Sequence, residues 1–119
     1  MSSHNSDSNS IFLTGFIEAL PTHRELPSGL AVSNAKLVSV SRFLSTEKVR
    51  AVNRINLAFY GQTTEWAKVL RAHEHVYIEG ELVVRSTSTT SDRTTTEVVV
   101  RTLRSVMGNA DGDDAASWG

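Results

Sequence analysis

No cysteine occurs among the 119 residues, which excludes both a disulfide framework and a thiolate metal site. No run approaches the about 18 apolar residues that a membrane-spanning helix needs. The opening "MSSHNSDSNS" lacks the apolar centre of a secretory signal. The expectation is a soluble, cytoplasmic protein with no membrane partner. No Gly-rich phosphate loop, nucleophile elbow or paired-carboxylate motif is present, so nothing points to an enzyme or to a cofactor. His73 and His75 bracket Glu74, but no third ligand is evident, and no metal is expected. Lys and Arg are missing from both ends. Residues 1–10 and 108–119 hold four acids and no Lys or Arg, whereas residues 11–107 hold all 12 Lys and Arg against 9 acids. A mildly basic body with an acidic tail suits an anionic ligand, although the same balance also serves plain solubility.

What is present reads as one domain over residues 11–107, with the polar segments 1–10 and 108–119 too poor in apolar residues to offset the entropy of ordering. Period-two alternation and β-branched runs place five strands, at about Ile11–Leu20, Leu30–Phe43, Ala51–Tyr60, His75–Thr87 and Thr94–Met107. Pro21 ends the first, and "LPSG" turns the chain into the second. Between the third and fourth, "TTEWAKVLRAH" changes period. Thr63 or Thr64 is the expected N-cap, and Trp66, Val69 and Leu70 the expected apolar face of a helix of about nine residues. Nine of the eleven residues from Ser86 to Thr96 are Ser or Thr, yet apolar runs flank them directly. That stretch is expected to be an extended hairpin rather than a linker, because β-branched Thr suits exposed strand ends. The fold class is therefore all-β. The order β-β-β-α-β-β is that of a five-stranded OB-fold Greek-key barrel, while an SH3-like barrel or an open sheet also accommodates five strands.

Six segments in order carry a resemblance. They are "IFLTGFI", "PTHRELPSG" (with Pro21, Arg24, Pro27 and Gly29), "AVSNAKLVSVSRF", the Phe59-Tyr60-Gly61 triplet, "VYIEGEL" and "TTEVVV". Together they resemble the bacterial single-stranded DNA-binding protein family across about residues 10–107. The resemblance implies an OB-fold that binds single strands by stacking bases on aromatic side chains, forms dimers or homotetramers, and recruits replication and repair proteins through an acidic tail. Of the four positions that usually carry the aromatics, two are Phe43 and Tyr60. The other two align with Arg54 and Thr87, where well-known bacterial members have Trp. The tail carries Asp111, Asp113, Asp114 and Trp118 but ends "ASWG" rather than Asp-Ile-Pro-Phe, and no Pro follows Pro27.

The expected nucleic-acid contacts are accordingly Tyr60 and Phe43 as platforms, with Lys36, Arg42, Lys48, Arg50, Arg54, Arg85 and Arg93 as cations. Arg54 is singled out because a guanidinium both stacks and pairs with phosphate. A single Lys or Arg is more often a solvated charge, and a strand aromatic more often a core ring; family position favours the aromatics, and spacing along strands and loops suits the cations to phosphates. Arg101 and Arg104 are expected on a surface or an interface, and Glu79 and Glu81 on one side of a strand. The functional expectation is a protein that coats and protects single-stranded DNA in replication, recombination and repair. The alternatives are an adaptor resembling primosomal replication protein N, dimeric and acting in replication restart, and an OB-fold module that assembles protein complexes.

Overall fold

The computed structural model describes residues 7–44, 49–86 and 94–106. Six strands and one helix make up this part: β1 (Ile11–Ile17), β2 (Thr22–Glu25), β3 (Ala31–Leu44), β4 (Val49–Tyr60), α1 (Thr64–Val69), β5 (His75–Ser86) and β6 (Thr94–Ser105). A 3-10 turn, Gly61–Thr63, leads into α1. The sheet order is β1-β5-β6-β4-β3-β2, and β1 also pairs with β3, so five strands close on themselves with β2 as an outer flap. This is the OB-fold barrel, with the helix between its third and fourth strands.

Three differences from the sequence-based expectation have physical causes. The first strand ends at Ile17, and the chain up to Leu20, which is mostly exposed, leaves the sheet. The segment Thr22–Glu25 then forms a strand of its own on the edge of β3, pairing from Thr22↔Asn34 to Glu25↔Ala31. All four of its residues are exposed, so it carries no hydrophobic alternation by which to be recognised. The helix is six residues long, and Leu70 leaves it with extended backbone. Its inward set is Thr64, Ala67 and Leu70, with Trp66 packed against the core, while Val69 points away and is 73% exposed. Thr63 holds the N-cap position without a side-chain cap bond; the Thr64 hydroxyl donates instead to the Gly61 carbonyl at 2.6 Å.

The core is the barrel lumen. Ile17, Leu37, Leu57, Phe59, Val76, Ile78, Val98 and Val100 fill it, one inward face per strand, and Ala67 and Leu70 plug one end. Closure needs close backbone approach at two places. A Cβ on Gly15 would lie 2.3 Å from the Val38 carbonyl oxygen, where β1 crosses β3 (Phe16↔Val38, Ile17↔Leu37). A Cβ on Gly80 would lie 2.2 Å from the Val99 carbonyl oxygen, at a register shift between β5 and β6. The parallel contact of β4 with β6 is short, only Leu57↔Val98 and Ala58↔Val99. Asn56 extends it by donating its side-chain amide to the Thr96 carbonyl at 3.4 Å.

Candidate nucleic-acid interface

Because strand side chains alternate, the residues opposite the core on β3 and β4 share the outer face of the barrel. Register sets Val32 against Tyr60, Asn34 against Ala58, Lys36 against Asn56 and Val38 against Arg54. Arg24 of β2 pairs with Val32, so Arg24, Val32 and Tyr60 form one row across three strands. Two shallow clefts lie along this face. One, of about 370 Å³, is lined by Glu18, Leu20, Asn34, Lys36 and Asn56 among others. The second, of about 310 Å³, is bordered by Arg24, Asn34, Tyr60, Arg85, Thr95 and Glu97. Asn34 borders both, and its amide is fixed by donation to the Leu57 carbonyl at 3.3 Å.

The second cleft has the most ordered polar chemistry. Arg85 Nη2 donates to Glu97 Oε2 at 2.7 Å and to the Tyr60 hydroxyl at 3.0 Å, while that hydroxyl donates to the same carboxylate oxygen at 3.3 Å. Glu97 is nearly buried, its side chain 11% exposed, whereas the Arg85 side chain is half exposed. The hydrogen bond to Glu97, with the nearby Tyr60 hydroxyl and the Glu97 charge acting in the same direction, raises the Arg85 pKa above its already high value. At neutral pH the guanidinium is permanently charged.

Arg54 sits differently. Its Nε lies 3.4 Å from Glu18 Oε1, with the Arg54 side chain 61% exposed. That carboxylate oxygen is shielded from solvent and has no well-formed hydrogen bond, so the contact is an ion pair without good directionality. Lys36 is exposed and, among the described residues, makes no ion pair. Elsewhere on β5 and β6, Arg101 bridges Glu79 at 3.6 Å and Glu81 at 3.2 Å, and donates to Ser10 Oγ at 3.0 Å. This ties the two acids of β5 into a surface network.

The structure thus brings four of the sequence-predicted residues, Lys36, Arg54, Tyr60 and Arg85, to one face. Arg42 and Phe43 stand near the end of β3 and Arg50 near the start of β4, with Arg42 opposite Arg50 and a register slip that puts Phe43 at a bulge. The side chains of these three, and all of Lys48, Arg93, Asp111, Asp113, Asp114 and Trp118, lie outside the described residues. Sequence reasoning missed two residues of the site. Arg24 was visible only as part of the Pro-x-x-Arg segment, and Glu97 only as a letter in "TTEVVV". Neither stands out by composition, because their place depends on which strands meet.

The arrangement is that of a surface for a polyanion with stacked rings: an aromatic, cations on four strands, and a shallow open face instead of an enclosed pocket. The protein-family comparison agrees with it. The chain matches the Single-strand binding protein family over residues 8–106, the whole barrel. Members of that family are non-enzymatic DNA-binding proteins, and single-stranded DNA binding follows for this chain. With the barrel, the outer-face cations and the match in agreement, this chain belongs to the single-strand binding protein family.

Proposed function

We propose that the protein coats and protects single-stranded DNA exposed during replication, recombination and repair, acting in the cytoplasm on the nucleoid. The observation that carries this reading is the row Arg24–Val32–Tyr60 with Arg85 beside it and Lys36 and Arg54 further along the same face. A strand crossing β2, β3 and β4 meets an aromatic ring and spaced positive charge in turn. Self-association completes the reading, as a dimer or a tetramer. Phe12, 57% exposed, stacks on Tyr77 outside the barrel with ring centroids 6.3 Å apart. Among the described residues, the edge of β1 turned away from β5 is paired only at Phe16 and Ile17. An open edge beside an apolar patch favours pairing with a second copy. The acidic tail with Asp111, Asp113, Asp114 and Trp118 is the proposed contact for replication and repair proteins.

The test is fluorescence anisotropy of labelled oligo-dT against a duplex of equal length. Neutralising about three phosphates gives a log–log salt slope near −2, so affinity for oligo-dT falls about 20-fold between about 50 and 200 mM NaCl. Equal affinity for duplex, or no binding of oligo-dT by folded protein at low salt, refutes the reading and leaves an OB-fold assembly module in its place.

A further inference from the structure

The two arginines of the outer face differ in how they are held. Arg54 has one long contact to a partly exposed acid. Arg85 spends a single nitrogen on two partners at 2.7 and 3.0 Å, and those partners are bonded to one another at 3.3 Å. Such a closed triangle fixes the guanidinium and the phenol ring together. Among the described residues, no other nitrogen of Arg85 is engaged. The remaining N–H groups of a guanidinium are donors only, and its side chain is half exposed beside the cleft that both Tyr60 and Arg85 border.

Electrostatics then decides what the cleft can take. A nearly buried carboxylate cannot be stripped of its cation cheaply, because an uncompensated charge in that position is strongly disfavoured. Arg85 therefore stays with Glu97 when DNA arrives. A phosphate brought to Arg85 would also be brought to the Glu97 anion, and the pair as a whole offers it no net charge. A neutral nucleobase suffers no such repulsion. Its ring finds the Tyr60 face, and an acceptor on its edge finds an Arg85 N–H. The cleft, about 310 Å³, is at the small end of ligand sites and of a size for one base. Arg24, which makes no ion pair among the described residues, borders the same cleft and is placed for the phosphate beside that base.

On the reading that this face binds single-stranded DNA, we propose that Glu97 is a positioning residue that holds Tyr60 and Arg85 as a seat for one nucleobase, so that Arg85 recognises a base edge and not a phosphate. The experiment follows the salt slope of oligo-dT binding in the parent, in Glu97→Gln, and in the doubly neutral Arg85→Gln/Glu97→Gln protein, which removes the guanidinium without leaving Glu97 as an unbalanced anion. Both substitutions keep a hydrogen-bonding amide in place, and circular dichroism checks that the variants fold. A base contact predicts that the doubly neutral protein binds several-fold more weakly at every salt concentration while its slope matches the parent's. It also predicts that Glu97→Gln steepens the slope by about 0.7, the increment for one further phosphate on a single strand, because the charge of Arg85 is now unbalanced. A slope shallower by about 0.7 in the doubly neutral protein, or an unchanged slope in Glu97→Gln, overturns the proposal while leaving DNA binding intact. Failure of the parent to bind oligo-dT overturns both.

Discussion

Replacing Gly80 with Ala tests how the barrel closes. The new Cβ would stand 2.2 Å from the Val99 carbonyl oxygen and 3.0 Å from Val98 Cγ1. A carbon and a carbonyl oxygen settle at about 3.3 Å, so about 1.1 Å of separation must be found. β5 has nowhere to retreat, because on its other edge Gly80 is paired with Ile11 of β1. The movement falls on β6 at Val98 and Val99, the residues that make the whole parallel contact with Leu57 and Ala58 of β4. A shift of about 1 Å takes a backbone hydrogen bond beyond its useful range. Losing two such bonds at about 1 kcal/mol each, with about 1–2 kcal/mol of overpacking, sums to about 3–4 kcal/mol. For a domain of this size that lowers Tm by roughly 10–25 °C. Thermal unfolding followed by circular dichroism reads it directly. A Tm within about 2 °C of the parent would show that the close approach at Gly80 is not required for closure.

Two further substitutions probe the faces. Arg54→Ala removes a mostly exposed ion pair worth under about 1 kcal/mol, so Tm should move by no more than a few degrees while oligo-dT binding weakens. Arg54→Trp should strengthen binding by about tenfold through a new stacking surface, and anisotropy titrations showing no change in either variant return Arg54 to an ordinary solvated charge. Phe12→Glu places a charge on the exposed apolar patch over Tyr77 and should lower the mass measured by sedimentation velocity without unfolding the chain. An unchanged mass locates self-association elsewhere.

Where the sequence was legible, the cause was alternation against a buried interior. The long strands were placed within two residues at nearly every end, because Leu37, Leu57, Phe59, Ile78 and Val98 recur at period two and all reach the lumen. The expected first strand overruns by three residues, since Ala19 and Leu20 continue an apolar pattern that the fold leaves in solvent. β2 was invisible because Thr22–Glu25 has no inward face to declare it. Val69 falls at i+3 from Trp66 and so belongs to the apolar spacing, but the helix ends there, and Ala67, too small to weigh in a periodicity, takes the buried place. The candidate site shows the same division. Family position points to Tyr60, and Arg85 is named only as a cation on a strand; their bond through Glu97 joins positions 25 and 12 residues apart and arises only when β4, β5 and β6 are assembled.

The two-rung contact between β4 and β6 has a consequence for motion. It joins residue 57 to residue 98 across 41 positions of chain, and such distant partners pay their loop entropy before gaining contact. The barrel therefore has a slit, the natural place for it to breathe open, and the amides that bridge Leu57 and Ala58 to Val98 and Val99 are its most sensitive reporters under hydrogen exchange. Tyr60 stands on one lip and Glu97 on the other, linked at 3.3 Å. A strand of DNA laid across them would staple the slit shut, so a ligand occupying the outer surface should slow exchange in the interior.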